Sequence, residues 1–227
     1  MRPRIPILAA ALLVAATAAQ ATLTEAIPFD KKVETSAAII LGKVVKTESR
    51  WDESHSRILT YTTFRVDKSY KGQPLGDLTL VTPGGQVGDV QQATIGVPTF
   101  REGDENVVFV RQTKAGATVS YFDQGAYAIV DRDNERYVQP VETNAVRIDT
   151  QRGVAVDPEP ARPLRTFESD VRDSMGRIAA ERMELIERQK KQRNEASLWG
   201  TLSRNRALIA LALIGAVLAT WQLTKRQ

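Results

Sequence analysis

Between residues 36 and 110 four apolar, β-branched runs follow one another with no helical period between them. They read AIILGKVV (38–45), ILTYTTFRV (58–66), LTLV (78–81) and NVVFVR (106–111), and Gly, Pro or charged turns separate them. A chain without crossover helices has no means of making parallel neighbours across short turns. It must form antiparallel sheet, closed on itself or packed on another.

Three further runs extend the pattern: 118–122, 126–130 and 136–139, the last two joined by the polar turn DRDNE (131–135). An all-β body follows, and two features select a small OB-like antiparallel Greek-key barrel, with a β-sandwich as the alternative. Gly42 interrupts the first run as a bulge or tight bend would. After the third run, Pro83-Gly84-Gly85 stops the strand and opens a loop from Gly84 to Gly103. About twenty residues without regular structure exceed what connecting two strands requires, so this loop is the expected contact surface. Its candidate residues are Gly84, Gly85, Gln86, Val87, Gly88, Pro98 and Phe100.

Both ends of the chain carry membrane signals. Arg2 and Arg4 precede an apolar run over 5–18, and Ala19-Gln20-Ala21 offers the small-x-small pattern of a cleavage site, so 1–21 is expected to be a signal peptide. The body then spans 22–157 and a Pro-rich linker 158–163, with Pro158, Pro160 and Pro163. From Ala207 to Leu223 no residue is charged; Arg204 and Arg206 flank the run on one side, Lys225 and Arg226 on the other. Its 17 residues sit at the short end of what spans a bilayer, and Trp221 suits an interface. The expected location is the cell envelope: a single-pass inner-membrane protein with its body in the periplasm or extracellular space and a cytoplasmic tail of 224–227. A C-terminal sorting tail has the same shape.

The formal charge of +4 is contributed by the ends. Residues 22–161 hold 16 Lys/Arg against 20 Asp/Glu, and 162–206 hold 11 against 7. A mildly acidic body is the wrong partner for phosphate backbones, so no nucleic-acid role is expected. Cysteine is absent and His55 is the single histidine. Thiolate chemistry and disulfides are thereby excluded, and neither a zinc site, another metal nor a cofactor is expected. His55 lies in the polar turn WDESHSR with no nucleophile elbow elsewhere, and reads as a solvated turn residue. Asp131, Asp133 and Glu135 alternate as calcium ligands can, but lack the glycine and the later glutamate of a calcium loop. Glu102, Asp104 and Glu105 flank Gly103 as turn carboxylates, and are the residues a hydrolase alternative would use.

The frame AAIILGKVV, SRWDE, RILTYTTFRVDKSYKG, VTPGGQVG and GVPTFREGDENVVFV, over roughly 23–140, resembles an uncharacterised family of secreted bacterial proteins. More distantly it is similar to netrin-like modules, whose OB barrel is shared with the tissue inhibitors of metalloproteinases. The resemblance implies a barrel, and it implies no inhibitory mechanism, since that uses an N-terminal cysteine.

Residues 164–206 read as a helical stalk, amphipathic and then basic. Leu164, Val171, Ile178 and Leu185 recur every seven residues, with Phe167 and Met175 between them. Polar residues at Ser174, Glu181 and Arg188 disfavour a coiled coil and favour a single amphipathic helix packing on the body at its start. Pairing of two stalks into a homodimer stays open. The expected function is an exported, membrane-anchored, non-catalytic binding or scaffold module. Its partner would be an envelope protein or polysaccharide. The alternatives are an envelope hydrolase and a stalk-mediated oligomerisation or recruitment protein.

Overall fold

The computed structural model describes residues 23–73, 76–143 and 145–225. The expected signal peptide, 1–21, and the last two residues of the tail lie outside the described residues. The chain divides into a first unit ending at Met175 and a second from Gly176 onward.

The first unit is mostly antiparallel β-sheet. Strands β1 (Leu23–Glu25), β2 (Ala38–Trp51), β3 (Ile58–Lys71), β4 (Asp77–Pro83), β5 (Gly85–Val87), β6 (Val90–Gln92) and β7 (Glu105–Thr113) come first. They are followed by β8 (Gly116–Val119), β9 (Ala126–Arg132), β10 (Glu135–Pro140), β11 (Val146–Asp149), β12 (Val154–Val156) and β13 (Arg162–Pro163). One helix, α1 (Phe29–Thr35), precedes β2, and α2 (Leu164–Arg204) follows β13. The main sheet runs β13-β10-β9-β7-β2-β3-β4, with β8 paired to β7.

β2 and β3 carry the architecture because each is 14 residues long and their ladder bends. Register shifts fall between Ile39 and Ile40, Leu41 and Gly42, and Val44 and Lys46. Gly42 permits the middle one: a Cβ there would stand 2.6 Å from Arg65 O. The bend expected at Gly42 is therefore real, and it curls the sheet until β4 and β8 lie side by side. No ladder joins those two strands, and the other end of the sheet is β13. The closed barrel expected from sequence is thus corrected to an open, strongly curled sheet among the described residues.

Two cores result, one on each face. The inner face buries Ile40, Val44, Phe64, Leu80, Phe100, Val108, Val110 and Val119. The alternate residues Ile39, Val107, Phe109 and Tyr127 face the other way, as strand pleating requires, and are also buried. α1 and the start of α2 cover them. Phe167 meets Phe29, Phe109, Tyr70 and Tyr127 at ring-centroid distances of 5.4 to 6.3 Å. Phe167, Val171 and Ser174 are the buried residues of α2 among those described, spaced as one helical face requires, and Ser174 Oγ donates to Asp30 Oδ1 at 2.7 Å. Pro163 at the helix entrance has no N–H to lose, and good helix formers dominate beyond it.

Other expectations fare unevenly. DRDNE is a tight hairpin turn between β9 and β10, with Asp133 and Asn134 at φ 49° and 65°. The run at 118–122 ends early, because Tyr121 and Phe122 are left-handed (φ 56° each) and lead into a 3₁₀ turn, Phe122–Gly125. The Gly84–Gly103 loop is not wholly irregular, since β5 and β6 form a small hairpin inside it. β1 pairs with β11 in parallel, an exception to the antiparallel rule that the sequence did not signal.

In the second unit α2 continues to Arg204, Asn205 breaks it, and α3 (Arg206–Thr224) takes up the apolar run. Among the described residues no helix is long and apolar enough to cross a membrane. That finding does not extend to the side chains at 206–208, 212, 219, 220 and 223, which are not described. Lys225 Nζ stands 4.0 Å from the Trp221 ring centroid.

Candidate functional site: a neutral groove on β2, β3 and β4

The inner face of β2, β3 and β4 changes character along the strands. Near the core its cross-strand row is Val44, Phe64 and Leu78; the next row is Thr47, Thr62 and Leu80; the third is Ser49, Thr60 and Thr82. The apolar lining thus gives way to hydroxyls while the pleat keeps every one of these side chains on the same face. Beyond them lies the pair Trp51–Ile58.

The Gly84–Gly103 loop folds back over these hydroxyls. Gly85 comes so close that a Cβ would meet Ser49 Oγ at 2.3 Å and Thr60 Oγ1 at 2.4 Å. Ser49 and Thr60 share a hydrogen bond of 2.9 Å, and Thr60 Oγ1 donates to Gly84 O at 2.7 Å. Gln92 Oε1 accepts from Ile58 N at 2.6 Å, which fixes β6 against the start of β3. At the far end of the loop Phe100, 5% exposed, stands edge-on to Phe64 with centroids 5.1 Å apart.

Between sheet and loop lies a groove of about 340 Å³. Its walls carry the hydroxyls of Thr47, Ser49, Thr60, Thr62, Thr82, Thr94 and Thr99 and the carboxamides of Gln86, Gln91 and Gln92. Among the described residues no charged one lines it. The volume falls within the range of small-molecule sites. Thr47 Oγ1 is buried with no hydrogen-bond partner among the described residues. Of the residues singled out from sequence, Gly84, Gly85, Gln86, Pro98 and Phe100 line this groove. Val87 and Gly88 sit instead at the β5–β6 turn. Pro98 and Phe100 are buried anchors of the loop.

The turn at the tip of β2 and β3 is organised by Asp52. Its carboxylate accepts from Ser56 N at 2.8 Å, Arg57 N at 3.2 Å and the hydroxyls of Ser54 and Ser56. Desolvation opposes its ionisation, but these donors outweigh it and pull the carboxyl down to about 2. His55, held at φ 53°, stacks on Trp51 with centroids 6.4 Å apart. The carboxylates a hydrolase would need have separate engagements. Glu102 Oε1 accepts from Thr47 N at 3.0 Å, Asp104 Oδ2 from Arg101 N at 2.9 Å, and Glu105 pairs with Arg136. Among the described residues no cluster of His, Asp and Glu has metal-binding geometry.

On the other face lies a charged cluster with no local sequence signal. Lys32, whose side chain is 3% exposed, donates to Glu159 Oε1 at 2.5 Å and Tyr127 Oη at 2.6 Å. Burial lowers its pKa, with Glu159 opposing, while burial next to the same carboxylate raises that of Tyr127. Arg162 joins Glu159 to Asp170. Asp123 accepts from Thr143 Oγ1 at 2.7 Å and Arg147 Nη2 at 3.1 Å. The adjoining cavity of about 90 Å³ has room for a few waters. Its chemistry is that of a clamp: it fastens the segment before α2 to α1 and β9. Lys32 and Glu159 are 127 residues apart, and nothing in the mixed polar lead-in TLTEAIPFDKKVET sets Lys32 apart from its neighbour Lys31.

No protein-family model matches the chain, and no curated protein matches it significantly.

Proposed function

We propose that the chain is a non-catalytic binding module of the cell envelope, exported through the segment at 1–21 and anchored by the apolar run at 207–223. The groove over β2, β3 and β4 is its ligand-contacting surface. The observation that carries the reading is the uncharged, hydroxyl- and amide-rich lining of the groove, set on a rigid two-core sheet and roofed by a hydrogen-bonded loop. Such walls can hold a polar ligand in place, and they contain neither a general base nor a nucleophile paired to one. An OB-like origin for the curled sheet agrees with its topology of long bent strands, and grooves on such sheets are common contact surfaces.

The absence of native cysteine makes the arrangement testable without a background. Single cysteines are introduced at Glu53 and at Gln227, and intact cells are treated with a membrane-impermeant maleimide. The reading expects labelling at Glu53→Cys and none at Gln227→Cys until the membrane is breached. Labelling of both positions in intact cells, or of neither, overturns the proposed topology. For the binding role, a photo-reactive side chain at Gln91 is expected to give adducts in intact envelopes that the same group at Lys114 does not.

A further inference from the structure

We infer that the groove takes an uncharged carbohydrate chain, laid across its hydroxyl rows with one ring against Trp51; this rests on the reading of the groove as the ligand surface. Three observations point to that class. First, the middle of the floor, β3, has no free backbone to offer. Thr60 pairs with both Ser49 and Thr82, and Thr62 with both Thr47 and Leu80, so the β3 ladder is complete on each side. A peptide adding itself as a strand would take the outer edge of β2 or β4, whereas a ligand lying over β3 meets side chains alone.

Second, those side chains are hydroxyls and carboxamides, which donate and accept alike. Sugar hydroxyls do both as well, and an uncharged ligand matches walls that contain no ion to pair with one. A charged ligand would leave its desolvated charge uncompensated. Thr47 supplies the specific demand: the residue lines the groove, and its Oγ1 is buried and lacks a partner among the described residues. Turned about χ1 toward the groove, that hydroxyl would find its partner in a ligand hydroxyl.

Third, the hydroxyl rows end at an aromatic residue. Trp51 lies two residues beyond Ser49 on the same sheet face, and it is partly exposed, with His55 stacked on it. From Thr47 to Trp51 the strand rises about 13 Å, a length for several linked rings rather than one. An indole beside a polar trough gives the C–H face of a pyranose an apolar surface while its hydroxyls reach the threonines.

The test uses the full chain in a detergent without a sugar headgroup, titrated calorimetrically with maltohexaose, cellohexaose and chitohexaose. An uncharged Gly-Ser-Thr decapeptide is titrated in parallel. Binding of at least one hexaose is expected, weakened about tenfold by Thr47→Val and by Trp51→Ala, the loss of roughly one good contact each. Thr47→Val also separates binding from folding. It removes a hydroxyl that has no partner among the described residues, so its melting temperature should not fall while its affinity does. Hexaose binding that neither variant alters would overturn the inference. Binding of the decapeptide alone, lost in Thr82→Val, would overturn the carbohydrate assignment and leave the groove as the site. Binding of neither probe would overturn the inference and remove the support for the groove.

Discussion

Gly85 lies against Ser49 with its missing Cβ only 2.3 Å from the serine oxygen, so the loop over the groove can close only because this residue has no side chain. Its φ of 132° is also one that other residues avoid. Gly85→Ala is therefore expected to destabilise the body by about 1–3 kcal/mol and to lift the loop. Gly88→Ala, whose Cβ would meet open space, serves as the control at roughly 1 kcal/mol. Urea unfolding of the two variants measures the difference, and equal losses would contradict the close approach.

The Lys32–Glu159 pair should respond asymmetrically to its two deletions. Glu159→Ala leaves an amine whose side chain is 3% exposed without its carboxylate, whereas Lys32→Met leaves a carboxylate that is 34% exposed and can rehydrate. The first should cost roughly 2–4 kcal/mol, discounted from a fully buried pair because Glu159 reaches solvent. Lys32→Met should cost about half as much, its methylene stem being replaced by one of similar shape. Denaturant unfolding that ranks them the other way would show that the cation, not its burial, matters.

Removing Phe167 opens the aromatic cluster that fastens the first turns of α2. Phe167→Ala is expected to cost about 3–5 kcal/mol, a large share of a typical domain's stability. Hydrogen exchange should report early loss of protection over 164–175, with the β2–β3 ladder persisting longer.

Asp52 offers a pH readout free of the core. Its folded-state carboxyl titrates at about 2, below the ordinary value of 3.8. A depressed acid stabilises the fold fully above the unfolded value and ceases to do so as pH falls through the folded one. The amide signals of Ser56 and Arg57 should accordingly move with a midpoint near 2. A midpoint near 3.8 would mean the turn hydrogen bonds are not maintained in solution.

What could be read in advance follows the range of the interactions. The Gly42 bend, the stop at Pro83, the Asp133–Asn134 turn and the start of α2 are each dictated by one or two neighbouring residues, and each is legible locally. The threonines of ILTYTTFRV were legible as strand residues but not as walls of a groove. Their role depends on Ser49 and Thr82 arriving in register on either side. Lys32 and Glu159 could not be paired from sequence, since nothing local marks contacts 127 residues apart. Barrel closure failed as an expectation for a related reason. Whether β4 and β8 form a ladder depends on the curvature accumulated over the whole sheet, and no single residue encodes that.

The hydrogen bond from Ser174 to Asp30 joins positions 144 residues apart, close to the two ends of the first unit. A nascent chain therefore reaches its last stabilising contact only when almost all of that unit has been made. Until Phe167 and Ser174 emerge, Phe109 and Tyr127 have the cover of α1 but not that of α2, and the half-made protein is exposed to proteases and to its own neighbours. Synthesis of this protein thus includes an interval of vulnerability set by where α2 begins.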